Sequence, residues 1–339
     1  MANIVTTSFD YTYDGQLLTS TLFYKPTEKA DNIFANYRIF SGVKTKIQLH
    51  LPGSLNKILK QYVTCGFSAT GTASPITNRT LEVTKMKVNV EECADAFFGT
   101  VFEDEALKAG VAITDLAGTI VEQVMMQLVV DSVARDVARM AWFNQDGAAS
   151  ADYNAFDGWI EIFKNESADL GQYFDMSSDA AIEDVGGDLV VDGALVLLRN
   201  MYENQSKVLR QMPREQKKFY VTATIVDNLM TTYEDTQSSL GLTLLQEGNT
   251  SMLKFRGIEL YEVPGWDTQL ADADNPQAVF VGNNMAVLTI PDNLAVGVDT
   301  TSDNLRIRSN DDDDEVLKVI WKIKEGVQII HPELISFAY

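Results

Sequence analysis

The residues best suited to catalysis are few in this chain of 339 residues, and they are scattered. Histidine, the usual acid or base near neutral pH, occurs only as His50 and His331, far apart and in unlike contexts. The acidic run Asp311–Glu315 offers oxygen ligands for a divalent cation, but it lacks the alternating spacing and central glycine of a calcium loop. A solvated loop is therefore the preferred interpretation of this run. A His–Asp–nucleophile site is the weaker alternative for the histidines.

The two cysteines, Cys65 and Cys93, are too few for a disulfide framework or a cysteine zinc site. Both lie among apolar neighbours, which favours small core residues over nucleophiles. The sequence also contains no glycine-rich phosphate loop, GxSxG, HExxH or CxxC. We therefore expect no enzymatic activity, no cofactor and no bound metal.

The charge of the chain is divided unevenly. The net charge is −21, which argues against a conventional nucleic-acid-binding surface. Residues 1–90 hold ten Lys/Arg and five Asp/Glu, a balance of +5, whereas residues 91–339 hold 17 and 43, a balance of −26. A chain divided in this way can attract a second copy of itself. The alternative is that the basic strands arise by chance and that the acidity serves solubility.

Length and hydropathy indicate a folded protein without a membrane partner. With 45% hydrophobic residues, the chain is long enough for two compact domains or one elongated fold with several lobes. No apolar run approaches the ~18–20 residues that span a bilayer. The N-terminal sequence MANIVTTSFDYTYDG has neither the basic nor the apolar region of a signal peptide.

The remaining elements are expected to be arranged around a long helix over residues 114–144. Thr114 is a suitable N-cap, and no proline occurs before Asp146-Gly147, which gives a stop signal. The polar stripe changes face along this helix, so the helix should pack against different elements along its length. Glu122 belongs to the first polar face, and the second holds Asp131, Arg135, Asp136 and Arg139. The alternative is two shorter helices broken near Val130.

An arm and a hairpin precede the helix. Residues 1–42 carry aromatic residues without a period, so this arm is expected to lie on its own body or on a partner. Residues 43–92 favour a long hairpin, whose returning strand over Arg79–Val90 alternates apolar and polar residues. If the tip is near Ser74, Cys65 lies opposite about position 84, far from Cys93, and both thiols should be free.

The second half of the chain alternates predicted helices and strands. The expected helices are Gly193–Asn204, begun by Asp192, and Ile225–Tyr233, begun by Thr224. The expected strands are 218–222, a pair over 255–263 bent at Gly257, a hairpin over 278–290, and terminal strands Val316–Ile323 and Val327–Ile330 turning at Glu325-Gly326.

This order of elements resembles the Hong Kong 97 type of tailed-bacteriophage major capsid protein over nearly the whole chain. The similar segments are RTLEVTKMKVNVEEC, FYVTATIVDNLM, LKFRGIELYEVPGW and GVQIIHPELI, which follow one another in the family's order. The resemblance implies an α+β capsid fold with four parts. These are an N-terminal arm (1–42), an extended E-loop hairpin (43–92), a peripheral domain with a spine helix (93–188 and 316–339, helix 114–144), and an axial domain (189–315).

The resemblance also implies a function and partners. The chain would assemble with copies of itself, as hexamers and pentamers, into an icosahedral shell around a phage genome. The expected partners are a portal, decoration or scaffolding proteins, and packaged DNA by non-specific contact only. The shell would be assembled in the host bacterial cytoplasm and located in the virion. Only a short arm precedes the hairpin, so we expect no removable N-terminal scaffold domain. The alternatives are an encapsulin-like compartment shell and a soluble acidic hydrolase.

Contacts between copies are expected where the basic hairpin meets acidic neighbours. Exposed ion pairs contribute about 0–1 kcal/mol each, and buried apolar area supplies a contribution that salt does not screen. The basic candidates are Lys44, Lys46, Lys57, Lys60, Arg79, Lys85 and Lys87. The acidic candidates are Glu103, Asp104, Glu105, Glu122 and Asp131, and the apolar candidates are Leu81, Val83 and Met86.

Overall fold

The computed structural model describes residues 36–52, 76–93, 120–236, 242–247, 250–299, 306–310 and 313–339. Their strands, in chain order, are β1 (Arg38–Ser41), β2 (Lys46–Pro52), β3 (Ile76–Glu82), β4 (Thr84–Cys93), β5 (Gln172–Phe174), β6 (Lys218–Val221), β7 (Leu242–Glu247), β8 (Thr250–Phe255), β9 (Ile258–Glu262), β10 (Ala286–Thr289), β11 (Leu294–Val298), β12 (Arg306–Asn310), β13 (Asp313–Ile329) and β14 (Ser336–Ala338). Their α-helices are α1 (Ile120–Phe143), α2 (Trp159–Asn165), α3 (Gly193–Asn204), α4 (Lys207–Gln211), α5 (Ala223–Thr236), α6 (Trp266–Leu270) and α7 (Ala278–Val281).

The first sheet is built around β13. Strand β4 pairs antiparallel along one edge of β13, and β12 and β11 share the other edge. Strand β1 then pairs parallel with β11. The acidic run predicted as a solvated loop enters this sheet, since β13 begins at Asp313.

The predicted turn at Glu325-Gly326 is wrong, because β13 continues through both residues as one strand. Glycine at position 326 instead allows the backbone of Glu82 to pass close to β13. A Cβ atom on Gly326 would lie 1.8 Å from the carbonyl oxygen of Glu82. Glycine in a strand interior often marks such an approach rather than a turn.

The predicted hairpin is present but divided. Strands β2 and β3 pair antiparallel, with Lys46 opposite Glu82 and Pro52 opposite Ile76. The returning strand breaks at Val83, after which β4 leaves the hairpin and pairs with β13. This register contradicts a tip near Ser74, because residue 76 would then pair close to the tip rather than with Pro52. Residues 53–75, including Cys65, lie outside the described residues.

A second sheet has the strand order β5-β14-β10-β6-β9-β8-β7. Helices α3 and α5 pack on it through a cluster of buried apolar side chains that includes Leu198, Ile225 and Phe219. The strand pair bent at Gly257 is confirmed: β8 and β9 are antiparallel, and both Arg256 (φ 50°) and Gly257 (φ 82°) have positive φ in the turn between them.

The predicted hairpin over 278–290 is wrong in its first half. Residues 278–281 form the short helix α7, because the Asn275 side-chain oxygen accepts from the Gln277 amide and Gly282 N–H then donates to the carbonyl of Ala278. An apolar run of four residues has no period that separates a strand from a buried helical turn. The second half, β10, is a strand as predicted.

Helix α1 is continuous through Val130, so the alternative of a break there is wrong. Residues 114–119, the predicted start, lie outside the described residues. From Val129 onward the helix buries Val129, Val133, Ala141 and Trp142, among others. The predicted change of polar face stays a prediction, since the described side chains of α1 begin at Val129.

Aromatic side chains hold the end of α1 to the rest of the chain. The ring of Trp142 lies 4.6 Å from that of Trp159 and 4.7 Å from that of Trp266, between ring centroids. Trp142 Nε1 donates to the hydroxyl of Tyr37, which is buried. The end of the predicted arm therefore packs on its own chain, which was one of the two arrangements expected, the other being packing on a partner.

The strand pairs cross the predicted domain boundaries. Strands β5 and β14, from the predicted peripheral segments, join the sheet of β6 and β10. Strands β11 and β12, from the predicted axial segment, join the sheet of β4 and β13. The division into peripheral and axial domains stays a prediction.

Candidate intersubunit surface

One face of the β4–β13 pair carries four lysines. Lys87 lies directly opposite Lys322, and Lys85 lies opposite Lys324. The intervening side chains Val88 and Ile323 pack with Val129 and Val133 of α1, so the lysines are on the face turned away from that helix.

Like charges directly opposite each other destabilise a sheet. Lys324 is compensated, because its Nζ lies 2.5 Å from Asp299 Oδ2 and donates to the Lys44 carbonyl at 3.1 Å. Lys85, Lys87 and Lys322 are exposed, and no ion pair from the described part of the chain reaches them. These three residues are called the basic face below. Lys44 and Lys46 are also exposed, at the start of the hairpin.

Arg79 is engaged within the chain. Its guanidinium binds Glu166 through two hydrogen bonds, Nη1–Oε1 at 3.0 Å and Nη2–Oε2 at 2.6 Å. Both side chains are mostly buried. Within its own chain Arg79 therefore holds the hairpin to the body, and its contact with a neighbouring copy stays a prediction.

Two of the three apolar candidates are buried within their own chain. Leu81 is 0% exposed and packs with Leu49, Ala295 and Ile330, and Val83 is 6% exposed. In this conformation their own chain covers both side chains, and their contact with a neighbour stays a prediction. The alternation of apolar and polar residues predicted an apolar face correctly. It did not indicate whether the same chain or a neighbouring copy covers that face. Met86 is half-buried against the main core.

The other candidates are only partly described. Lys57, Lys60, Glu103, Asp104 and Glu105 lie outside the described residues. Glu122 belongs to the described backbone of α1, and the exposed Asp131 lies at the turn where the Arg135 guanidinium donates to the Asp131 carbonyl. Arg139 stacks on the ring of Tyr153, 4.8 Å from its centroid, and donates to the Asp152 carbonyl. Arg139 thus contacts the segment that follows α1.

The most acidic described segment was not among the candidates. Residues 165–198 contain eight Asp/Glu and no Lys or Arg, a signal that a window count of charge would have found. Its centre is the stretch Asp175–Asp192, called the acidic loop below. This loop is ordered by its own carboxylates, because Asp175 Oδ1 accepts from Ser177 N and Asp184 Oδ1 accepts from Gly186 N and Asp188 N.

The acidic loop is also fixed to the body, and it displays apolar side chains. Asn284 Nδ2 donates to Glu183 Oε1 at 2.9 Å and to the Gly187 carbonyl at 3.0 Å. Burial raises the pKa of Glu183, and the hydrogen bond from Asn284 opposes that rise. Val185 and Val191 are nevertheless exposed, at 110% and 82%. An ordered loop that exposes two valines to solvent is typical of a surface that contacts another molecule.

The histidines do not form a catalytic group in the part of the chain described here. His50 Nδ1 lies 2.7 Å from Asn78 Oδ1, and His331 Nδ1 lies 3.3 Å from Glu333 Oε1. The described residues bring no three His, Cys, Asp or Glu side chains together as a metal site. None of the described helices combines the length and the apolar character needed to cross a membrane.

Comparison with solved structures gives the fold a precedent. A chain of the satellite phage P4 procapsid, solved with its size determination (Sid) protein, matches at TM-score 0.56 and 12% identity, over 91% of this chain and 86% of that chain. The capsid of a native GTA particle matches at TM-score 0.57 and 10% identity, over 100% and 98% of the two chains. The capsid of the myovirus phage XM1 matches at TM-score 0.54 and 8% identity, over 95% and 96%.

The chain has the Hong Kong 97-type capsid fold. The α+β class and the family resemblance drawn from the order of segments are thereby confirmed at the level of fold. No family model and no curated protein sequence matches the chain. The capsid fold is therefore visible here in the arrangement of elements and not in sequence identity.

Proposed function

We propose that this chain is a major capsid protein, which assembles with copies of itself into the icosahedral shell of a tailed bacteriophage. The observation that carries the proposal is the end-to-end match: capsid chains from a phage procapsid, a GTA particle and a myovirus are covered over 86–98% of their lengths. A match confined to one lobe would leave room for a different protein built on a shared domain. A match over whole chains favours a shared use of the whole fold.

The surface supports association rather than catalysis. The chain exposes a basic face although its net charge is −21, and it displays two valines on an ordered acidic loop. Unlike charges on separate surfaces favour contacts between copies. The proposed partners are therefore other copies, in hexamers and pentamers, together with a portal and decoration or scaffolding proteins. DNA would be held only by non-specific contact, and the protein would be located in the virion after assembly in the host cytoplasm.

The alternative is a compartment shell of the encapsulin type, which the same fold accommodates. The two differ in what the particle encloses and in what occupies its vertices. A phage shell encloses DNA and carries a portal at one vertex, whereas a compartment shell encloses a protein cargo. A soluble hydrolase is not favoured by any group of residues in the described regions.

The test is assembly of the purified chain. Negative-stain microscopy and size-exclusion chromatography should show rings of five or six copies, or closed shells. Particles isolated from the native source should contain nuclease-protected DNA. A monomer at every concentration, alone and with the proteins of the neighbouring reading frames, would contradict the proposal. Particles filled with one enzyme and no DNA would favour the compartment shell.

A further inference from the structure

The basic face has no ion-pair partner in the part of the chain that the structure describes. Lys87 and Lys322 are directly opposite each other, both are exposed, and neither forms an ion pair with a described residue. Lys324, in the same ladder, shows how such a position is satisfied: Asp299 Oδ2 lies 2.5 Å from its Nζ. The three remaining lysines have the same need for carboxylates, and the described residues form no ion pair with any of them.

The acidic loop offers matching carboxylates at its surface. Asp184 is used to order the loop, whereas Asp188 and Asp192 are exposed, and neither side chain accepts a hydrogen bond from the described residues. These two aspartates flank Val191, and Val185 lies a short distance before them in the same loop. The loop therefore presents negative charge and apolar area together, fixed in place by Asn284.

We propose that the acidic loop of one copy docks on the basic face of a neighbouring copy. The proposal rests on the assembly function proposed above and names the partner of its basic surface. Charge complementarity sets the pairing of Asp188 and Asp192 with the lysines. Lys324 also donates to the Lys44 carbonyl, which fixes the start of the hairpin beside this face. Ile47 in that hairpin is 38% exposed and gives the valines an apolar contact. A nucleic acid would satisfy the lysines but not the exposed valines.

The direct test is cross-linking between copies. Equal amounts of ¹⁴N- and ¹⁵N-labelled chain are assembled after nuclease treatment and treated with a carbodiimide, which joins a lysine to a carboxylate without a spacer. Mixed-isotope peptides that join Lys85 or Lys87 to Asp188 or Asp192 are expected. Oligomers without this cross-link would overturn the pairing while leaving the assembly function intact. Failure of the chain to form any oligomer would overturn both.

Charge reversal gives a second, independent readout. Lys87→Glu and Asp188→Lys should each slow assembly at low salt, followed by light scattering, by about tenfold, because steering between opposite charges is lost. The double variant should recover to within about threefold of the unmodified chain. Arg199→Glu, at an exposed position on α3, is the matched control and should leave the rate unchanged. Slow assembly of the double variant, with the circular dichroism of all chains alike, would show that the lysines meet another partner such as DNA.

Discussion

Arg79 of strand β3 and Glu166 at the C-terminal end of helix α2 form a two-point ion pair, with N–O distances of 3.0 and 2.6 Å. The two side chains are 18% and 28% exposed, so water screens the pair only in part. The residues are far apart in sequence, and the pair fastens the base of the hairpin to the body of its own subunit. The hairpin base is therefore positioned before any neighbour arrives.

Removing this pair should loosen the hairpin. In a double-mutant cycle with Arg79→Ala and Glu166→Ala, we expect a coupling free energy of about 1–2 kcal/mol, because two charge-assisted hydrogen bonds are lost together. Denaturant unfolding measures the coupling, and hydrogen exchange in β2 and β3 should quicken in each single variant. Strictly additive effects, with unchanged exchange, would show that the pair is incidental.

A second prediction concerns the crossing of β13 over the hairpin. Gly326→Ala should destabilise the protein by about 3 kcal/mol or more, since the added Cβ would lie 1.8 Å from the Glu82 carbonyl oxygen and backbone must move to admit it. Gly186→Ala is the control, because its Cβ would meet no backbone atom and only the side chain of Asp184, at 3.1 Å. Thermal unfolding of both variants decides the point. Equal melting temperatures would mean that the crossing is not as close as described.

Gly326 also illustrates a feature that the sequence alone does not predict, namely a contact between residues distant in the chain. Glu325-Gly326 has the composition of a turn, yet glycine is needed there because the backbone of Glu82 passes close to it. Glu82 is distant in sequence, so a pattern of neighbouring residues cannot indicate this contact. The same holds for Leu81 and Val83. Their alternation indicated an apolar face, but only the tertiary structure shows that their own chain covers it. Periodicity predicts which face is apolar and leaves open what packs on it.

Helix boundaries follow the same rule. Asp192 was expected to begin α3 as its cap, and the helix does start at Gly193, but Asp192 has φ 65° and makes no capping bond. The cap comes from Asn228 on α5, whose Oδ1 accepts from the Ala194 amide at 3.1 Å. The existence of helices and strands was predictable because their periods are local. Their caps and the basic face were not, because they depend on residues brought together by the fold.

Helix α5 supplies a third prediction, since its N-terminal amides are capped from α6. Asp267 Oδ2 accepts from Ala223 N at 2.9 Å, and Oδ1 accepts from Thr224 N at 3.4 Å. Asp267→Ala should cost about 0.5–2 kcal/mol of unfolding free energy, the usual range for a lost N-cap. Asp274→Ala, an exposed aspartate nearby, is the control and should be close to neutral. A loss of the same size in both variants would assign the effect to charge rather than to capping.

The last prediction concerns Glu325, whose carboxyl group is buried in β13. Its side chain is 1% exposed, and neither oxygen has a hydrogen-bond partner among the described residues. Burial raises the pKa of Glu325 well above its usual value of 4.5. The folded state therefore keeps a proton that the unfolded state releases once the pH exceeds about 4.5. It follows that this residue lowers the unfolding free energy progressively as the pH rises from that value towards the folded-state pKa.

Glu325→Gln removes the ionisable group while keeping its size, so the variant should not lose stability through this residue as the pH rises. Denaturant unfolding at several pH values between about 5 and 8 should therefore show the variant gaining on the unmodified chain with increasing pH. Other buried acids, such as Glu183, contribute to both chains and cancel in the difference. The exposed Glu215 gives the control Glu215→Gln, for which the difference should be flat across the range. A difference for Glu325→Gln that does not change with pH would mean that the carboxyl is solvated or paired in solution.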